Sequence, residues 1–281
     1  MNQPLWWDEA EYRVLSEKFL GYSVNYQLNP VRPILFSLID VGFMLISKTE
    51  IFPRLLILIL SMGAVIGTYL LGKETYDFKT GIIASLFMSV LALNIFFTSR
   101  ILVDIPSLTF FIFSAYFFFK YFKYKSISSL YLGAVTIAIG TLFKLNTVIL
   151  LFSIVLYVLI TEQFKFLKKK EIWKAALIFI IILIPYIIWG YLQFHGFVIT
   201  MAGGYNSPKQ GVFFLNGINN LYYYLSSFPF YLSLPLLIIF ILGILSMYKL
   251  LLGLDLVYKN KDFNLNKLLY LLLIFLIPLI V

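Results

Sequence analysis

Cysteine is absent from the 281 residues, histidine occurs once, and charged residues make up only 12% of the chain. The lack of cysteine excludes disulfides, thiolate metal sites and thiol nucleophiles, and His195 alone is too little for an imidazole metal centre. Any metal would be a hard cation held by carboxylates, and we expect no cofactor. No basic region with an apolar core follows Met1 as in a signal peptide, and no nucleic-acid-binding motif is present.

Apolar residues are what the chain has in excess. Hydrophobic residues make up 61% of it, aromatic residues 19%, and the mean hydropathy is +0.93. Ordinary soluble domains are less apolar, so the composition predicts an all-α, multi-pass bundle of transmembrane helices in the cell membrane, forming one domain over 1–281. The eight candidate spans are 51–72, 80–98, 102–119, 128–143, 145–161, 172–194, 229–252 and 266–281.

The basic residues between these runs predict a topology. Fourteen of the 22 fall at alternate ends of the spans, which we assign to the cytoplasm because cytoplasmic loops are rich in Lys and Arg. The other eight, including all four arginines, then lie on the exoplasmic side, together with an N-terminal loop over 1–50 carrying short interfacial helices and a loop over 196–228. Because no signal precedes this loop, we expect a further transmembrane helix upstream of Met1.

Three carboxylates stand out in the stretch Trp6-Trp7-Asp8-Glu9-Ala10-Glu11-Tyr12. Trp and Tyr favour the boundary between water and lipid, so we interpret the stretch as a short interfacial helix or loop that presents Asp8, Glu9 and Glu11 beside the headgroups. The alternative is the capped first turn of an ordinary surface helix, where acidic residues are also common.

The arginines point to a phosphate. A guanidinium binds phosphate through a planar fork, so their placement on the exoplasmic side predicts an anionic ligand there, unless they only extend to the interface. Arg100 and Asp104 are four residues apart and would share one face of a helix if this stretch is helical, whereas Asp104 could also be a simple N-cap. The other cations expected on this side include Arg32, Arg54 and Lys144.

The order of these motifs resembles the GT-C superfamily of membrane glycosyltransferases, in the branch of protein O-mannosyltransferases and aminoarabinose lipid A transferases. The motifs are WWDEAEY, RPILFSL, FPRLL, SRILVDIPSLTFFIF and the GTLFK turn over 140–144. The resemblance implies an inverting hexosyl- or pentosyltransferase that uses a polyprenyl-phosphate sugar and glycosylates a hydroxyl of a protein, lipid or glycan.

The resemblance also implies roles for individual residues. Asp8 would be the general base, with Glu9 as a neighbour that tunes or orients it. Arginines supply positive charge where the lipid phosphate departs, and Arg54 and Arg100 are our first choices for this role. The remaining expected site residues are Arg32 and Lys144 at the phosphate, Asp104 and Glu11 in support, and Tyr205 and Asn206 in a loop covering the acceptor.

A transporter or flippase of lipid-linked sugars is the main alternative. Such proteins place polar residues at the middle of the bilayer or in paired broken helices. Here the ionisable residues gather at the mouths of the predicted spans, which favours chemistry at the membrane surface.

Overall fold

The computed structural model describes residues 5–23, 32–194, 226–227, 229, 234–246, 248 and 263–280. All regular structure in these residues is helical, in agreement with the predicted helical bundle. The helices are α1 (Trp7–Phe19), α2 (Leu35–Ile46), α3 (Ile51–Thr75), α4 (Phe78–Val90), α5 (Ala92–Thr98), α6 (Asp104–Tyr124), α7 (Ile127–Phe143), α8 (Ile149–Glu162), α9 (Lys170–Phe194), α10 (Leu234–Ser246) and α11 (Phe263–Ile280).

Four helical stretches in the described residues are long and apolar enough to cross a membrane. They are α3, α6, the 145–168 stretch formed by α8 with a 3₁₀ turn at each end, and α9. Helices α2, α7, α10 and α11 are apolar but have shorter apolar cores. The count of about eight spans stays a prediction.

The predicted span over 80–98 is broken. Helices α4 and α5 meet at an angle of 58°, because Leu91 adopts an extended backbone with φ −63° and ψ 122° that interrupts the helical hydrogen bonds. Thr98 Oγ1 donates to Ser61 Oγ at 2.7 Å and ties α5 to α3. If the two pieces form one span, they are together long and apolar enough to be a fifth membrane crossing.

Lysines collect at one end of the bundle, which we call the lysine end. Lys123 pairs with Glu74 at 2.8 Å, while Lys125 and Lys169 both pair with Glu162 at 3.1 and 2.6 Å. Lys267 lies 4.4 Å from the ring centroid of Tyr76. The sequence grouped these lysines on one side of the membrane, and the fold brings them together at one end.

The opposite end, which we call the site end, carries α1, α2 and the start of α3. Here a buried cluster contains Tyr12, Phe36, Ile57 and Phe143 together with the segment between α5 and α6. Tyr12 and Phe36 pack edge to face with centroids 5.5 Å apart. Burial of these rings fixes α1 and α2 on the transmembrane helices.

Helices α3 and α4 approach each other closely at the lysine end. A Cβ on Gly81 would lie 2.7 Å from the backbone oxygen of Tyr69 and 2.9 Å from the backbone nitrogen of Lys73. Only glycine fits this crossing, so Gly81 sets the geometry of the α3–α4 hairpin.

Candidate active site

Helix α1 is held against α2 by polar contacts. Arg13 forms a forked pair with Asp40, at 3.0 and 3.2 Å from Nη1 to the two carboxylate oxygens, and its Nη2 donates to the backbone oxygen of Lys48 at 2.6 Å. Ser16 and Ser37 both donate to the backbone oxygen of Tyr12. Because Asp40 is 2% exposed, removal of Arg13 would leave a buried charge without its partner.

Glu9 points into the protein and is fully buried. Its Oε2 accepts from the Trp6 backbone N–H at 2.7 Å, and its Oε1 accepts from the Ile101 backbone N–H at 2.7 Å. The prediction that Glu9 faces the headgroups is therefore wrong, because both of its oxygens satisfy backbone donors of the protein itself. Glu9 joins the start of α1 to the segment over 99–103, which we call the 99–103 segment.

Arg100 lies on the same segment and is 12% exposed. Its Nη1 is 3.5 Å from Glu9 Oε2, and its guanidinium carbon is 4.2 Å from the centroid of the Trp6 ring. The cation therefore lies against the Trp6 ring, but Trp6 is 47% exposed, so this contact is only partly shielded from water.

Arg100 and Asp104 do not share a helical face. Residues 99–103 are not helical, and α6 begins only at Asp104. Arg100 consequently turns to Glu9, whereas Asp104 pairs with Lys144 at 2.7 Å from Oδ1 to Nζ. The condition for a shared helical face is therefore not met, because the chain is not helical between the two residues.

Asp8 has the opposite environment from Glu9, since its side chain is 54% exposed. Nη2 of Arg32 donates to Asp8 Oδ1 at 2.6 Å, while Nε of the same guanidinium pairs with Glu11. Glu11 also accepts from the Trp7 indole at 3.0 Å. Arg32 therefore holds Asp8 through one oxygen, while the carboxylate side chain as a whole stays more than half exposed.

Tyr12 lies beneath this group. The Arg32 guanidinium carbon is 5.2 Å from the centroid of its ring. Burial raises the pKa of Tyr12 to about 12, so its phenol stays protonated at neutral pH. Burial alone would lower the pKa of Arg32, but the hydrogen bond to Asp8 and the nearby carboxylates raise it overall, so Arg32 remains a permanent cation.

Lys144 and Asp104 form the accessible ion pair of the site end, with side chains 41% and 32% exposed. Lys144 follows α7 in an extended conformation, and the chain then turns back through residues 145–148. The hydroxyls of Ser107 and Thr147 lie 2.6 Å apart and join α6 to this turn. A Cβ on Gly140 would lie 2.7 Å from Thr147 Cγ2, so the predicted glycine and lysine turn depends on this glycine.

Arg54 binds within the protein as well. Its Nη2 lies 2.7 Å from Glu50 Oε2, and its Nη1 donates to the Ser99 backbone oxygen at 2.7 Å. Its side chain is 11% exposed. Arg54 therefore fixes one end of the 99–103 segment, and Glu9 fixes the middle.

Comparison with protein families identifies the chain's relatives. A family model of dolichyl-phosphate-mannose-protein mannosyltransferases matches residues 30–189, more than half of the chain. The chain belongs to this family. The resemblance to GT-C glycosyltransferases is thus confirmed. No curated protein and no solved structure matches the chain.

The matched region of this mannosyltransferase-family member holds the predicted cations Arg32, Arg54, Arg100 and Lys144. Asp8, Glu9 and Glu11 precede it, but the structure connects all three to residues within it through Arg32, Arg100 and Ile101. Tyr205 and Asn206 lie outside the described residues, so their roles at the acceptor stay predictions.

Four groups of the site were not predicted from the sequence. These are the Arg13–Asp40 pair, Glu50 as the partner of Arg54, the Ile101 backbone N–H and the Tyr12 phenol. The Arg13–Asp40 pair could have been anticipated in part, because Asp40 is a lone acid in the middle of the apolar 34–47 run, where a charge requires a partner. In the described part of the chain, no group of three or more His, Asp or Glu comes together to hold a metal ion.

Proposed function

We propose that this membrane glycosyltransferase moves a sugar from a polyprenyl-phosphate donor to a hydroxyl acceptor at the exoplasmic face, with inversion at the anomeric carbon. Membership of the mannosyltransferase family supports glycosyl transfer and a lipid-phosphate donor. The observation that carries the proposal is the exposed carboxylate of Asp8, held beside Arg32 at the mouth of the bundle.

Asp8 is the general base in this proposal. Its Oδ2 takes the proton of the acceptor hydroxyl as the hydroxyl oxygen bonds to the anomeric carbon. The bond from that carbon to the phosphate oxygen breaks, and its electron pair leaves with the lipid phosphate. A positioned carboxylate contributes about 10² to 10⁴-fold to such a step. Glu9 is unsuited to this role because it is buried and both of its oxygens accept backbone hydrogen bonds.

The structure changes our order of preference for the phosphate ligands. Arg54 and Arg100 are both nearly buried and hold the 99–103 segment. Lys144 is the most exposed of the four predicted cations, and its partner Asp104 is also accessible. We therefore assign Lys144 as the principal ligand of the departing phosphate, with Arg32 as the second cation. An ammonium on a flexible stem can move from a carboxylate to a phosphate without disturbing the fold.

The test uses membranes containing the full-length protein and radiolabelled polyprenyl-phosphate sugars. Asp8→Asn keeps the shape of the side chain but cannot take the proton, so turnover should fall by about 10²-fold or more while donor binding is retained. Glu17→Gln is the matched control, because it makes the same chemical change further along α1. Normal turnover in Asp8→Asn would refute the role of Asp8 as base, and loss of donor binding would make Asp8 a ligand instead.

The side of the membrane is tested separately. Reporters inserted after Ser47 in the α2–α3 connection should report the outside, and those inserted after Lys125 should report the cytoplasm. The reverse pattern would place the site on the cytoplasmic face.

A lipid-linked-sugar flippase is a second candidate, and one observation favours it. Helices α4 and α5 form a broken span, and Asn94 in α5 is a buried polar residue within it. Broken helices of this kind form substrate sites in transporters. Reconstituted vesicles distinguish the two functions: a flippase moves labelled donor between leaflets without an acceptor, whereas the enzyme requires an acceptor and releases lipid phosphate.

A further inference from the structure

A cavity lies on the other side of the bundle from the candidate active site. Its volume is about 360 Å³, and its walls come from α6, α7, α8, α9 and the turn before α9. Among the described residues, every side chain that lines it is hydrophobic or aromatic, including Phe118, Phe122, Ala134 and Phe179. A wall of this chemistry suits a hydrocarbon chain.

The cavity opens sideways between two helices. Helix α9 packs mainly on α7, while α8 packs mainly on α11, so the two outer walls have different partners. Val155 on α8 and Ile180 on α9 line the cavity and are still 47% and 49% exposed. In a bilayer these surfaces face lipid, so an acyl chain can enter between them.

One end of the cavity lies at the lysine end of the bundle. Tyr121, Phe166 and Ile172 belong to its lining, and each is close in sequence to a lysine. Lys125 Nζ lies 5.9 Å from the centroid of the Tyr121 ring. The two connections that flank this end, over 120–125 and 162–174, contain eight lysines and two glutamates.

The charges favour an anionic headgroup. Glu162 already binds Lys125 and Lys169, whereas Lys165 and Lys168 lie exposed on the turn that contributes Phe166 to the cavity. Each lysine near an anionic lipid surface strengthens binding a few-fold. Trp173 is 60% exposed beside the same turn and donates from its indole to the Leu167 backbone oxygen at 2.8 Å, as is typical of a residue at the level of the headgroups.

We infer that this cavity binds one acyl chain of an anionic phospholipid whose headgroup lies against Lys165 and Lys168. The site is separate from the candidate active site, because its lysines lie at the opposite end of the bundle from Asp8. The inference does not depend on the reaction, since it follows from the apolar walls, the opening towards lipid and the excess of lysine at one mouth.

The test measures retained lipid by native mass spectrometry of the full chain in micelles containing phosphatidylglycerol or phosphatidylcholine. The wild type should retain phosphatidylglycerol about tenfold better than phosphatidylcholine. Val155→Trp fills the cavity from its exposed side and should abolish retention. Phe152→Trp is the matched control, because Phe152 is 59% exposed on the same helix and does not line the cavity.

The headgroup is tested with a second pair of variants. Lys165→Gln combined with Lys168→Gln should lower phosphatidylglycerol retention about tenfold and leave phosphatidylcholine unchanged. Lys79→Gln, another exposed lysine at the same end, should change neither. Equal retention of the two lipids, or normal retention by Val155→Trp, would overturn the inference. Displacement of phosphatidylglycerol by polyprenyl phosphate would overturn it too, by making the donor's tail the occupant.

Discussion

Glu9 Oε1 accepts a hydrogen bond from the Ile101 backbone N–H at 2.7 Å, joining residues that are 92 positions apart. The bond connects the acidic helix α1 to the segment that carries Arg100 and leads into Asp104. Because Glu9 also holds the Trp6 N–H, its carboxylate is an acceptor for two backbone donors at once.

Glu9→Gln should therefore destabilise the protein. An amide offers one oxygen and one NH₂ group, so a donor would face either Trp6 or Ile101, and a buried donor without a partner costs about 1–3 kcal/mol. We expect a lower thermal midpoint in detergent and reduced turnover, whereas Asp8→Asn should keep the wild-type midpoint. Equal midpoints for wild type and Glu9→Gln would show that the carboxylate does not support the segment.

Arg100→Lys should also act through structure. Lysine keeps the charge but loses the contact of the guanidinium with the half-exposed Trp6 ring, which contributes about 0.5–1 kcal/mol. We expect a lower thermal midpoint and a lower kcat, with the KM for donor near the wild-type value. A raised KM with normal stability would instead return Arg100 to the phosphate site first assigned to it from the sequence.

Lys144→Gln tests the phosphate site. Loss of a charged hydrogen-bond donor of about 1.5–3 kcal/mol should raise the KM for the polyprenyl-phosphate sugar about 10- to 100-fold. Thermal stability should change little, because the Lys144–Asp104 pair is accessible to water. Lys48→Gln, at the same end of the bundle, is the control. If both variants have the same KM, Lys144 does not bind the donor.

Gly81→Ala tests the helix crossing at the lysine end. The new Cβ would collide with the backbone of Tyr69 and Lys73, so α3 and α4 must separate, which we expect to cost about 1–3 kcal/mol. Gly42→Ala in α2 is the control, since nothing lies within 4 Å of its Cβ and alanine favours a helix. Thermal unfolding of both variants compares them directly, and equal midpoints would contradict the close approach.

The sequence predicted the helices better than it predicted their contacts. The stretch over 6–12 was interpreted as a short interfacial helix or loop, and the structure shows a helix over Trp7–Phe19, since local capping and polarity favour such an element. The inward direction of Glu9 was not predictable, because its partner is an N–H group distant in the chain. The candidate spans 80–98 and 102–119 left Arg100 between helices, but the partners of Arg100 and Asp104 lie far along the chain and could not be predicted from local sequence.

Burial of Glu9 has a consequence for its neighbour. Successive residues of an α-helix point about 100° apart around its axis. If one side chain fixes the rotation of the helix about that axis, the direction of the next Cα–Cβ bond is fixed as well. The inward direction of Glu9 thus fixes the rotation of α1 about its axis, and this rotation determines the direction in which Asp8 points. A rotation of α1 that turned Asp8 away from the mouth would have to break both backbone hydrogen bonds of the buried Glu9 side chain. The direction of the proposed base is therefore as stable as the bond between Glu9 and Ile101.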